Sequence, residues 1–127
     1  MVRYERWGLG KAWRDEYGTV EDPAALAAIL RYSPYHNVTD PTGRTPRRWP
    51  PAMFSTGDSD TRVPPVHSCK MVALLQGATE GGPVLLNIIE GMGHAGGAPT
   101  SSDRTVITLL AFLARHTGLV LDEHRER

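Results

Sequence analysis

The sequence predicts an α/β fold in which two parallel strands alternate with two helices. Three observations carry this. "AMFSTG" (52–57) is a short apolar run closed by a glycine, which suits a buried strand. "PVLLNIIE" (83–90) is apolar almost throughout, as expected of a parallel strand covered on both faces. A helical pattern follows each run: "VHSCKMVALLQGA" after the first, and a segment beginning near Ser101 or Ser102 after the second. The order strand, loop, helix, strand, loop, helix is a βαβα unit. It implies a parallel sheet with a right-handed crossover, and a three-layer arrangement with helices on both sides.

The elements follow in chain order. "MVRYERWGLGKAWRDEYG" is aromatic and interrupted by glycine, and reads as a loop with a short helix. "EDPAALAAIL" is a helix: Asp22 caps it, Pro23 fits its first position, and Ala and Leu propagate it. "YSPYHNVTDPTGRTPRRWPP" is dense in turn formers, and "DSDTRVPP" is a loop. In "VHSCKMVALLQGA" the predicted inward stripe is Cys69, Val72, Ala73 and Gln76. In the last helix it is Val106, Leu109, Leu110 and Leu113, with Gly118 placed to end it. The tail from 119 to 127 is charged and expected to fray.

Composition narrows the function classes. The 127 residues allow one domain with one core. Fourteen Lys and Arg balance fourteen Asp and Glu, so net charge gives no reason to expect nucleic acid or an anionic membrane as partner. The local cluster Arg44, Arg47 and Arg48 reads as a solvated loop. Cys69 is the only cysteine, so no internal disulfide forms. There is no C-x-x-C or H-E-x-x-H pattern, so no metal site is expected, and no cofactor either. No apolar run approaches a membrane span and no signal-type N-terminus appears, so a cytoplasmic protein is expected.

The chemistry-bearing residues sit after the strands. In open α/β sheets ligands bind beyond the strand C-terminal ends. There "DSDTRVPP" offers Asp58 and Asp60, and "GMGHAGG" offers His94 on a glycine-rich loop. An acid beside a histidine can fix the imidazole tautomer while the other ring nitrogen accepts a proton, as in a hydrolytic triad. The order acid then histidine fits the last two members of the α/β-hydrolase order. Spacing alone leaves Asp58 and Asp60 open. No G-x-S-x-G elbow occurs. "GDSDT" comes near it, but Ser59 lies in the acid's own loop and is a poor nucleophile candidate. Cys69 lies inside a predicted helix and reads as a small core residue.

"YSPYHNV", "GDSDTRVPPVHSCKMVALLQ" and "GMGHAGGAPT", in this order and spacing, resemble the C-terminal end of the prolyl oligopeptidase family of serine peptidases. "GLGKAWRDEYG" resembles the segment just upstream. The resemblance runs from Met1 to about Gly118. It implies the C-terminal βαβα portion of an α/β-hydrolase fold, with residues 1–127 forming part of a peptidase catalytic domain. It implies Asp60 as catalytic acid and His94 as catalytic base. Arg62 would bind a substrate backbone carbonyl, Trp13 would stack on a proline ring, and Tyr17 and Val63 would form further walls of that pocket. A proline ring is flat and apolar and carries no N–H, so an indole face and apolar walls can select it.

Two mild departures are "DSDTRV" in place of the acid-rich "DHDDRV", and Ala98 in place of a basic residue. The larger one is length. The resemblance implies that the serine elbow, oxyanion donors, earlier strands and gating propeller belong upstream of Met1. The chain is therefore expected to be the last part of an enzyme that cleaves peptides on the carboxyl side of proline, and to be inactive alone for lack of the nucleophile. Its partners would be short proline-containing peptides, with self-association through an exposed sheet edge. The other reading is a non-catalytic βαβα module or pseudoenzyme remnant.

Overall fold

The computed structural model describes residues 2–38, 48–78, 80–95 and 99–119, with the backbone alone for 99–102. Arg44, Arg47, Ala98 and the tail from 120 onward lie outside the described residues. The N-terminal segment winds through 3₁₀ turns at Tyr4–Arg6 and Gly10–Trp13 into a short helix α1, Arg14–Tyr17. Helix α2 is Pro23–Tyr32. Asp22 caps it, its Oδ1 accepting the Ala24 N–H at 2.9 Å, and Pro23 stands in the first turn. Strand β1 is Ala52–Gly57, helix α3 Val66–Ala78, strand β2 Val84–Ile89 and helix α4 Pro99–Thr117. Gly118, at φ +74°, takes the left-handed conformation that closes α4. Helix α4 begins at Pro99, before the two serines proposed as its start. Proline's fixed φ and missing N–H suit a first helical position.

β1 and β2 pair in parallel, in register from Ala52 opposite Val84 to Gly57 opposite Ile89. Helix α3 is the crossover and packs on one face. Val72 and Leu75 are buried against Val84 and Val38, flanked by Phe54, Leu86, Met71, Leu74, Ala78 and Trp49. The predicted α3 stripe therefore needs correction. Val72 holds, but Ala73 and Gln76 are exposed, and Leu75 takes the inward place. The larger Leu removes more apolar area from water than Ala. Gln76 instead donates from Nε2 to the carbonyl of Val84, the first residue of β2, at 2.8 Å.

Two further expectations fail for one reason. β2 is not covered on both faces, because Leu85 and Ile88 are exposed, and the α4 stripe of Val106, Leu109, Leu110 and Leu113 is exposed as well. Helix α4 meets β2 near its C-terminal end, where Asn87 to Glu90 and Arg104, Thr105 and Thr108 line a shared cleft. Among the described residues only α3 packs broadly on the sheet, so the three-layer expectation is met by two packed layers.

Candidate active site

The register places the C-terminal ends of both strands side by side, and hydrogen bonds stitch the following loops together. The Asp58 N–H donates to the Ile89 carbonyl at 3.2 Å and the Ser59 N–H to the Met92 carbonyl at 3.2 Å. Asp58 Oδ1 accepts the Gly91 N–H at 2.9 Å. Gly57 permits this approach, since a Cβ there would stand 2.0 Å from the Met92 carbonyl oxygen. Gly91 supplies the turn, at φ +66°.

The stitched loops bring Asp60 to His94. His94 Nδ1 lies 3.0 Å from Asp60 Oδ2. The other oxygen, Oδ1, accepts the backbone N–H of Arg62 at 2.9 Å and of Val63 at 2.8 Å. Both carboxylate oxygens are thus engaged, which fixes the side chain. The Asp60 side chain is 13% exposed and the His94 side chain 41%. The Val63 N–H bond holds the Asp60 carboxyl below its ordinary value. Partial desolvation opposes this, while the His94 ring and the Arg62 N–H reinforce it. An ionised carboxylate can only accept, so Nδ1 is the donor of this contact, and a neutral ring in that tautomer has Nε2 as its acceptor nitrogen.

Asp58 does not hold the imidazole. Its Oδ1 takes Gly91 and also the Ser59 hydroxyl, which donates at 2.8 Å. A second histidine bonds a hydroxyl elsewhere: His36 Nδ1 lies 2.8 Å from Ser33 Oγ. Ser33 is 0% exposed, so it cannot meet a substrate. This pair and the Asn37 side chain, which donates to the Leu30 and Ser33 carbonyls, shape the end of α2. Ser33 and His36 stand three apart across a proline, a spacing that could have suggested the contact. Among the described residues no three His, Cys, Asp or Glu side chains gather as metal ligands would.

The aromatic N-terminal segment lies against the acid loop. The Leu9 N–H donates to the Arg62 carbonyl at 3.4 Å, and a Cβ on Gly8 would stand 2.1 Å from that same oxygen. This contact carried no pattern in the sequence. Beyond it, Trp13 stacks on Tyr17 with ring centroids 6.0 Å apart, and Tyr17 meets Tyr4 edge-on at 5.8 Å. Arg14 anchors the segment through Glu5 at 2.6 Å and Glu21 at 3.1 Å.

The model of the prolyl oligopeptidase family matches residues 1–120. This chain belongs to that family. It is 41% identical over 102 residues to a prolyl oligopeptidase of Omphalotus olearius, a match covering 79% of this chain and 13% of the relative. It is 37% identical over 124 residues to a prolyl endopeptidase of Elizabethkingia miricola, covering 94% of this chain and 17% of the relative. A structure from a study of two prolyl endopeptidases superposes with a TM-score of 0.86 at 33% identity, over 94% of this chain and 17% of that one. Prolyl oligopeptidase B of Galerina marginata, bound to a 35mer hydrolysis and macrocyclization substrate, superposes with a TM-score of 0.81 at 29% identity, over 97% of this chain and 17% of that one. The chain thus spans about one-sixth or less of the length of these prolyl oligopeptidases, and its two-stranded parallel sheet with flanking helices is a portion of the α/β-hydrolase fold they share. Of the positions the family resemblance singles out, Asp60 and His94 meet directly, and Trp13 and Tyr17 form a separate stacked pair. Arg62 and Val63 join the acid through their backbone, and both residues are exposed.

Proposed function

We propose that this chain carries the acid–base half of the catalytic site of a serine peptidase that cleaves peptides after proline. The observation that carries the reading is the His94 to Asp60 contact at 3.0 Å, made at the paired strand ends. Asp60 holds the imidazole, and His94 Nε2 takes the proton of an attacking hydroxyl and returns it to the leaving amine. Trp13, with Tyr17 and Val63, forms the apolar wall for the proline ring, and Arg62 donates to a substrate carbonyl. The peptide-bound structure of a family member supports a peptide ligand. Residues 1–127 act as one part of a catalytic domain, and a cytoplasmic setting belongs to the same reading. Among the described residues no helix is long and apolar enough to cross a membrane.

The nucleophile comes from outside these residues. The sequence has no G-x-S-x-G elbow, and the Ser59 hydroxyl donates to Asp58. Losing the nucleophile of a serine peptidase costs on the order of 10⁶ in turnover. The test is to purify the 127-residue chain, establish its fold by circular dichroism, and assay it with a chromogenic substrate carrying proline before the leaving group. No turnover above background is expected. Turnover that disappears in His94→Ala would contradict the assignment and make Ser59 the first residue to substitute.

A further inference from the structure

We propose that Asp58 is a positioning residue that holds His94 against Asp60, acting through the backbone of Gly91. The proposal rests on the acid–base reading of Asp60 and His94. Asp58 lies on the loop after β1, and Gly91 on the loop that carries His94 after β2. The Asp58 carboxylate accepts the Gly91 N–H at 2.9 Å, and its own N–H donates to Ile89 at 3.2 Å. Asp58 thus grips the His94 loop by two bonds, one at the end of β2 and one at the turn.

Gly91 is built for this grip. Its φ of +66° is open to glycine and strained for other residues, and a Cβ there would meet nothing within 4 Å. The position therefore needs glycine for the direction of its backbone, not for space. That direction aims its amide at Asp58. The Ser59 N–H bond to Met92 continues the seam toward His94. The Ser59 hydroxyl braces the same Asp58 oxygen at 2.8 Å. A carboxylate accepting a backbone N–H makes a charge-assisted bond, stronger than a neutral one. Asp60 cannot substitute, because its Oδ1 is occupied by Arg62 and Val63 and its Oδ2 by His94. The two acids divide the work: Asp60 orients the ring, and Asp58 sets where the ring's loop stands.

The test uses the ¹⁵N-labelled 127-residue chain, its Asp58→Ala and Asp58→Asn variants, and two readouts. These are amide exchange of Gly91 and the ring ¹⁵N shifts of His94, which report the tautomer. In the wild type Gly91 is protected and His94 carries its proton on Nδ1. Asp58→Ala speeds Gly91 exchange about tenfold and mixes the His94 tautomers. Asp58→Asn keeps an acceptor oxygen, so it restores the tautomer and recovers part of the Gly91 protection, the rest being lost with the charge. A wild-type tautomer retained in Asp58→Ala overturns the proposal, as does failure of Asp58→Asn to restore it. If wild-type His94 itself lacks the Nδ1–H signal, the acid–base reading fails first, a result distinct from either.

Discussion

Asp60 and His94 stand 34 positions apart in the chain and 3.0 Å apart in space, Oδ2 to Nδ1. The whole of α3 and β2 lies between them. The contact follows from the register that sets Gly57 beside Ile89, because each residue sits a few positions beyond its strand end. Neither loop could form the pair alone, so the geometry of the site reports directly on the integrity of the two-stranded sheet.

The depressed Asp60 carboxyl gives a pH dependence with a definite sign. Its folded value lies below the ordinary one of 3.8, so in acid the unfolded chain takes up this proton first. The stability it contributes is full above that ordinary value and is lost as pH falls through the lower folded one. His36 and His67 act in the same direction in a higher window. Burial, with Lys70 among the nearby positive charges, lowers both below 6.5, so they cost stability as pH drops beneath that value. Urea titrations of wild type and Asp60→Asn should diverge at neutral pH and converge as pH falls below about 4. A constant difference down to pH 2 would show that the Asp60 carboxyl is not held down in the folded state.

Gly57→Ala should damage the site through the backbone. The new methyl would stand 2.0 Å from the Met92 carbonyl oxygen, which cannot rotate away as a flexible side chain could. Overpacking of this kind costs about 1–3 kcal/mol, and here it pushes the His94 loop off the acid loop. Denaturant unfolding measures the first effect and the ring nitrogen shifts of His94 the second. Wild-type stability with unchanged His94 signals would show that the two loops are not in contact at Gly57.

The apolar surface predicts self-association. Ile88 is 52% and Ile107 67% exposed, and Leu85, Val106, Leu109, Leu110 and Leu113 are exposed with them. Apolar surface of this extent drives association or binds a partner. Sedimentation velocity across a concentration series should show growing oligomers, and charged substitutions at Ile88 and Ile107 should reduce them. A monomer at every concentration would contradict the expectation.

The strands and helices α2 and α3 are legible in the sequence because their signals are local. Apolar runs gave β1 and β2, and Asp22 with Pro23 gave the start of α2. The inward face of α3 is not legible in the same way, because Ala73 and Gln76 share helical periodicity with Val72, while the choice of face depends on what the sheet offers. That the α4 stripe would stay exposed could not be read either, since an amphipathic pattern states that a helix can bury a face, not that it does. At the site, spacing brought His94 and two acids to one edge and left the acids equivalent. The family resemblance points to Asp60, and in the structure the Asp58 carboxylate faces the Gly91 amide while the Asp60 carboxylate faces the imidazole. The Leu9 to Arg62 contact was invisible, because a glycine such as Gly8 does not announce which carbonyl it lets approach.

The central claim is that Asp60 orients His94 so that its outer ring nitrogen can take a proton. The most direct measurement is the ¹⁵N spectrum of the His94 ring in the 127-residue chain at neutral pH, compared with Asp60→Asn. The account predicts a protonated Nδ1 and an unprotonated, acceptor Nε2 in the wild type, with that preference lost in the variant. A wild-type ring protonated on Nε2, or a spectrum unchanged by Asp60→Asn, would contradict it.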